Sequence, residues 1–173
     1  VVTAHGGAVT AYSEPGKGTA FHVYLPSAEA EASEAEAEER PTRGGNERIL
    51  VVDDEETLAQ LIERALTPFG YDALAMTSST DALAAFREHP EAFDLVITDQ
   101  TMPKLTGGQL VKEILRIRPE MPIIVTSGLS ESMDGEKMRE MGIAAFLMKP
   151  ASALETAKLV RETLDKAKQK KRN

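Results

Sequence analysis

From Glu47 onward, short apolar runs alternate with segments in which apolar residues return every three or four positions. The runs are RILVVD, DALAM, DLVIT, PIIVTS and AAFLM. Most are nearly continuous rather than alternating, which predicts parallel strands buried on both faces. Between them, the first helical segment sets Leu58, Leu61, Ile62, Ala65, Leu66 and Phe69 on one face, and Gly70 is placed to end it. A second helix is expected from Ser79 to Glu88 and a fourth from about Ser130 to Met141. The third carries Leu110, Val111, Ile114 and Leu115 and closes at Pro119; the fifth carries Leu154, Ala157, Val160 and Leu164. Strand–helix alternation repeated in this way predicts an α/β fold with a doubly wound, five-stranded parallel sheet.

The N-terminal pattern differs. In residues 1–26, AVTAY and AFHVYLP read as two strands joined by the Pro/Gly turn SEPGKGT. Two strands alone are marginal in water, so this hairpin is expected to need a partner sheet. Residues 27–46 are Ala/Glu-rich and then Pro/Arg/Gly-rich; with no large apolar residue they cannot form a core and read as a flexible acidic linker. The organisation expected is therefore a hairpin (1–26), a linker (27–46), an α/β domain (47–165) and a basic tail (166–173). The tail, KAKQKKRN, reads as solvated and frayed, complementing the last helix's dipole.

Charge and composition narrow the function. The net charge of −8 argues against nucleic acid or a membrane surface as the main partner. No apolar run approaches the roughly 20 residues of a membrane span, which points to a cytoplasmic fragment whose parent is free to be membrane-anchored. The absence of cysteine excludes disulfides and thiolate metal sites. The chain begins at Val1 without methionine and reads as a piece cut from something longer.

Chemistry gathers at the strand ends. Asp53 and Asp54 follow the first apolar run of the domain, Asp99 the third and Lys149 the fifth. Open parallel sheets bind ligands beyond the carboxyl ends of their strands. Like charges about 4 Å apart cost on the order of 4 kcal/mol at an effective dielectric near 20. Raised pKa values, a bound cation or Lys149 are the available remedies. Carboxylates with waters suit Mg²⁺ (or Mn²⁺), and a carboxylate can itself be the nucleophile that forms an acyl phosphate. Phosphoryl transfer then needs mainly positioning and charge neutralisation, which Lys149, the Ser127 hydroxyl and backbone N–H groups can supply.

The ordered set resembles a receiver domain of two-component signalling. It comprises the DD pair, Asp99 with Pro103 four residues on, Gly107, the Ser127–Gly128 pair, and Lys149–Pro150. The resemblance covers residues 47 to about 165 and implies a flavodoxin-like sheet of order 2-1-3-4-5. It implies that Asp99 accepts the phosphoryl group from a phosphohistidine, on the chain's own kinase core or on a phosphotransfer protein. Asp54 would bind Mg²⁺ directly, Asp53 largely through water, Asp99 as a further ligand, and the Thr101 carbonyl would complete the shell. Lys149 and Ser127 would contact phosphoryl oxygens, and Phe146 stands at the family's rotating aromatic switch. The fourth helix, fifth strand and fifth helix would form the responsive face, open to dimer formation. Thr106 replaces the family's usual Asp before Gly107, and Thr can still cap a helix. Thr101 and Leu129 occupy the positions that tune hydrolysis in this family. Neither carries a carboxylate or amide to orient water, so a long-lived phosphoryl group is expected.

Residues 1–26 resemble the end of a histidine kinase ATP-binding domain, through HGG, two strands and the GKGT turn. The phosphoacceptor helix, the Asn-bearing helix and the DxGxG loop are missing, so this fragment lacks kinase catalytic motifs. Self-phosphorylation and autodephosphorylation at Asp99 are the activities expected of it, which leaves its standing as an enzyme open. The parent is expected to be a hybrid kinase. Two further classes stay open: a free-standing regulator or constitutive interaction module that does not use phosphorylation, and a haloacid-dehalogenase-like phosphatase. The latter is disfavoured because no DxD follows the first strand. A DNA-binding output is disfavoured because no helix-turn-helix follows the last helix. His5, His22 and His89 are expected to be structural or solvated, and Met121, Met138, Met141 and Met148 to be packing residues.

Overall fold

The computed structural model describes residues 2–26, 44–128 and 141–170. It divides into two compact units, Val1–Glu39 and Arg40–Asn173.

In the first unit, β1 (Ala8–Glu14) and β2 (Gly18–Tyr24) form an antiparallel hairpin, with Ala8 opposite Tyr24 and Glu14 opposite Gly18. Gly16 and Gly18 take φ of 78° and 97° at the turn, a region that favours glycine. Strand alternation puts Val9, Ala11, Phe21 and Val23 on one face. Phe21 is 70% exposed, and Val9 and Val23 are about half exposed. Among the described residues of this unit that apolar face is exposed, and two strands alone are marginal in water.

The second unit is the α/β domain. Its strands are β3 (Arg48–Val52), β4 (Asp72–Met76), β5 (Leu95–Asp99), β6 (Ile123–Ser127) and β7 (Ala145–Met148). They form one parallel sheet in the order β4-β3-β5-β6-β7. The described helices are α1 (Glu56–Leu66), α2 (Ser79–Glu88), α3 (Gly107–Ile117) and α4 (Ala153–Lys170). The fourth helix expected from the sequence, and Leu129 and Met138 with it, lies outside the described residues.

Successive strand residues feed opposite cores. Ile49, Val51, Leu95, Ile97, Ile124 and Leu147 pack with Leu66 of α1 and Ala157, Val160 and Leu164 of α4. Leu50, Val52, Val96, Ile123 and Val125 pack on the other face with Ala82, Leu83 and Phe86 of α2 and Leu110, Val111 and Ile114 of α3. Continuous apolar runs in β3, β5 and β6 are what burial on both faces requires, and those strands are buried almost throughout. The outer strands β4 and β7 are only partly covered, because an edge strand has one neighbour and less helix above it.

Four sequence expectations are corrected here. Leu61 does not join the buried face of α1: it is 59% exposed, while Ala59 is fully buried. Phe69 lies in the 3-10 turn Thr67–Phe69 that follows the helix, and Gly70 ends that turn at φ 88°. Met148 is 55% exposed, so it is not a packing residue, whereas Met121 is buried as expected. The last helix also runs through Lys170, deep into the segment read as a frayed tail.

That extension has a structural cause. Glu47, before β3, is buried and accepts hydrogen bonds from Arg161 at 3.0 Å and Lys168 at 2.7 Å. These two cations stand two turns apart on one face of α4, so they converge on one carboxylate. Burial raises the Glu47 pKa, but the bonds from Lys168 and Arg161 outweigh it and hold the carboxyl below its ordinary value.

Candidate functional site

Sheet parity decides which side chains meet at the carboxyl ends of the strands. Asp99 ends β5 on the face that carries Leu95 and Ile97, and Thr126 of β6 stands directly beside it in register. Asp53 and Lys149 follow β3 and β7 with the same parity as Val51 and Leu147. Ser127 and Phe146 have the opposite parity. Phe146 packs against the other core and pairs in register with Val125, two residues before Ser127 on that face.

The centre is Lys149. Its ammonium donates to Asp53 Oδ2 at 2.7 Å and to Asp99 Oδ1 at 2.6 Å, bridging two carboxylates that are otherwise nearly sealed from water. Burial pulls the lysine pKa down. The hydrogen bonds that it donates to both carboxylates reverse this and hold it above the usual lysine value, so the ammonium stays charged at neutral pH. A backbone hydrogen bond from Lys149 N–H to the Ser127 carbonyl, 2.8 Å, fixes the approach of the lysine. The peptide bond between Lys149 and Pro150 is cis.

Asp99 is held from several sides. The Thr101 N–H donates to Oδ2 at 2.7 Å, and the Thr126 hydroxyl reaches Oδ1 at 3.3 Å. The loop that follows is closed by Gly107 N–H donating to the Gln100 carbonyl at 3.0 Å. A Cβ on Gly107 would lie 2.1 Å from the Asp99 carbonyl oxygen, so only glycine permits the approach. Met102 is buried and anchors the same loop, while the carbonyl of exposed Pro103 accepts from Ser79 Oγ at 3.4 Å. Thr106 then starts α3 with a reciprocal capping box to Gln109, so the Thr that replaces the family's Asp does cap the helix.

The remaining expected site residues are distributed as follows. Asp53 is buried, with Oδ1 accepting from the Glu55 N–H at 3.0 Å; Asp54 beside it is exposed. Ser127 is buried and its hydroxyl donates to the Gly128 carbonyl at 3.2 Å, while Gly128 and Pro150 are exposed. Thr101 is exposed and Leu129 falls outside the described residues. The structure therefore joins Asp53, Asp99 and Lys149 directly and leaves Asp54 facing solvent. Among the described residues, no three acidic or histidine side chains are grouped closely enough to hold a metal ion unaided. The Lys149 ammonium lies between the two buried carboxylates and offsets their charge. The carboxylates at the site are hard oxygen ligands, the type that Mg²⁺ prefers, and Asp54 is exposed.

Thr126 escaped the sequence reading. Its signal was a hydroxyl next to Ser127 at the end of an otherwise apolar strand, IIVTS.

Comparison with known proteins agrees with this geometry. The family model for the response regulator receiver domain matches residues 49–161. The sensor kinase CckA of Brucella abortus is 30% identical over 175 residues, an alignment that takes in 96% of this chain and 18% of that kinase. The regulator PhoP of Bacillus subtilis, named for alkaline phosphatase synthesis, is 31% identical over 69% of this chain and 49% of its own. The chain thus spans less than half the length of these two relatives. A receiver domain protein of Clostridium thermocellum superposes with a TM-score of 0.67 at 33% identity, covering 71% of this chain and 98% of that one. The parallel sheet order, the acidic strand ends bridged by a lysine and the matched residues converge on one assignment: the chain belongs to the response regulator receiver family.

Proposed function

We propose that this domain accepts a phosphoryl group on Asp99 from a phosphohistidine and uses it to re-shape a partner-binding face. The observation that carries the reading is the placement of Asp99 at a strand end, with Lys149 at 2.6 Å and a backbone N–H at 2.7 Å already directed at its carboxylate. An acceptor needs a nucleophilic carboxylate with fixed cationic neutralisation and directed hydrogen-bond donors, which Asp99 has.

Asp53, Asp54, Asp99 and the Thr101 carbonyl would hold Mg²⁺ or Mn²⁺, which when bound supplies positive charge to the phosphoryl oxygens. Lys149 is already charged and positioned to transfer its hydrogen bonds from Asp99 to the incoming oxygens. Ser127 and Phe146 share the other face of the sheet, so a movement of the Ser127 hydroxyl toward those oxygens has a packed aromatic neighbour to carry it outward. Phosphorylation biases that equilibrium only by its differential stabilisation of the two shapes.

The domain's place in a hybrid sensor kinase is supported by two observations. The hairpin exposes an apolar face suited to a larger sheet, and the similarity to CckA continues through hairpin and linker to cover nearly the whole chain. A free-standing regulator is the second reading, favoured by the similarity to PhoP, which covers 69% of this chain. The coding sequence upstream of Val1 separates them: a frame with a phosphoacceptor-His helix and a DxGxG loop supports the hybrid. Among the described residues, no helix is long and apolar enough to cross a membrane.

The chemical reading is tested by labelling with acetyl phosphate and Mg²⁺. Asp99→Asn is expected to abolish labelling and Lys149→Met to leave it measurable but reduced. Labelling that persists in Asp99→Asn would identify a different acceptor.

A further inference from the structure

Every other residue of β6 up to Ser127 is aliphatic, yet Thr126 is 1% exposed and lies on the core face beside Asp99. A buried hydroxyl in such surroundings must find an acceptor. Two are within reach: the Thr98 carbonyl at 3.5 Å and Asp99 Oδ1 at 3.3 Å. The carboxylate is nearer and charged, so it is the stronger acceptor. Valine would fill the same volume and satisfy the same pattern. The threonine is therefore distinguished by its hydroxyl alone.

We propose that Thr126 shortens the lifetime of the phosphoryl group on Asp99 by donating a hydrogen bond that favours the free carboxylate over the acyl phosphate. The proposal rests on Asp99 being the acceptor, as argued above. In hydrolysis, the bond between phosphorus and the aspartyl oxygen breaks and its electron pair returns to the carboxylate. A water oxygen bonds to phosphorus, and the water's proton passes to phosphate or solvent. Negative charge thus grows on the aspartyl oxygens as the reaction proceeds and is shared between them. A donor at Oδ1 stabilises that charge whichever oxygen carried the phosphoryl group, and it binds the neutral ester carbonyl less well. Thr126 contributes on the face opposite to Ser127. The two successive hydroxyls hence divide the work, one facing the acceptor carboxylate and one facing the switch.

This also bears on the expectation that Thr101 and Leu129 leave the phosphoryl group long-lived. Thr126 acts against that tendency by making the departing carboxylate better solvated within the protein.

The test uses the whole chain. Wild type, Thr126→Val, Thr126→Ala and Thr126→Ser are loaded with acetyl phosphate at saturating Mg²⁺, freed of donor by desalting, and followed by intact mass during decay. Thr126→Val is expected to decay about fivefold more slowly, equivalent to about 1 kcal/mol at 1.36 kcal/mol per decade. Thr126→Ser is expected to restore the wild-type rate, which a purely structural role for the threonine methyl would not produce. Thr126→Ala supplies a second hydroxyl-free variant should the valine form fold poorly, and is expected to be slow likewise. Equal or faster decay in the hydroxyl-free variants, or slow decay in Thr126→Ser, overturns the proposal while leaving Asp99 as acceptor. Failure of wild type to label, or labelling that survives Asp99→Asn, overturns the acceptor reading instead.

Discussion

Replacing Lys149 by Met removes the cation that bridges Asp53 and Asp99 while keeping a long side chain. The two carboxylates are 3% and 12% exposed, and the lysine 25%, so solvent cannot fully replace the ammonium. Breaking a buried pair by deleting one partner costs about 3–5 kcal/mol, and partial exposure places this site at the lower end. Relief of the lysine's own desolvation and rotamer cost offsets part of it, leaving a net loss of about 2 kcal/mol. For a domain of this size that corresponds to roughly 8 °C in thermal midpoint. The assay is a circular dichroism melt of both proteins in EDTA and again with millimolar Mg²⁺. Mg²⁺ is expected to raise the variant's midpoint more than the wild type's, because the two carboxylates then lack an internal competitor for the cation. An unchanged midpoint in EDTA, or equal stabilisation of both proteins by Mg²⁺, would refute the reasoning.

Other positions give independent checks. Glu47→Gln strips the charge that Arg161 and Lys168 share and is expected to destabilise the domain by about 1–3 kcal/mol in urea titrations near neutral pH. Because the folded pKa of Glu47 lies below its ordinary value of 4.5, its contribution is complete above that value and is lost as pH falls through the folded pKa; the gap between wild type and variant should close in that window. Gly107→Ala forces a Cβ onto the Asp99 carbonyl, so a loss of several kcal/mol is expected together with slower labelling of Asp99; a fully stable, fully active variant would contradict the close approach. Leu66→Ala is expected to cost about 2–5 kcal/mol, whereas Leu61→Gln should stay within about 0.5 kcal/mol, a contrast read directly from denaturant midpoints.

The last pair shows where sequence reasoning stops. Leu58, Leu61, Ile62, Ala65 and Leu66 satisfy a helical apolar stripe, but that stripe is wider than the contact strip of the sheet beneath. Ala59, too small to carry much signal, takes the buried centre, and Leu61 falls outside. The inner strands were legible because burial on both faces leaves an unbroken apolar run, whereas the strand order followed only from the resemblance to receiver domains. The acidic strand ends and Lys149 were legible for the opposite reason: charges terminating such runs have no packing role. Nothing in local sequence links Glu47 to Arg161 and Lys168, since that contact joins the start of the domain to its final helix. Thr126 was hidden by its neighbour, because only the strand's parity separates the hydroxyl beside Asp99 from the one on the Phe146 face.

The central claim is that Asp99 is the acceptor, and chemical trapping reads it at residue level. The chain is incubated with acetyl phosphate and Mg²⁺, reduced with borohydride, digested, and its peptides sequenced by mass spectrometry. An acyl phosphate is reduced to the alcohol, so the account predicts homoserine at position 99, dependent on Mg²⁺ and absent when the donor is omitted. Homoserine at Asp53 or Asp54, or at no position in a folded chain, would contradict it.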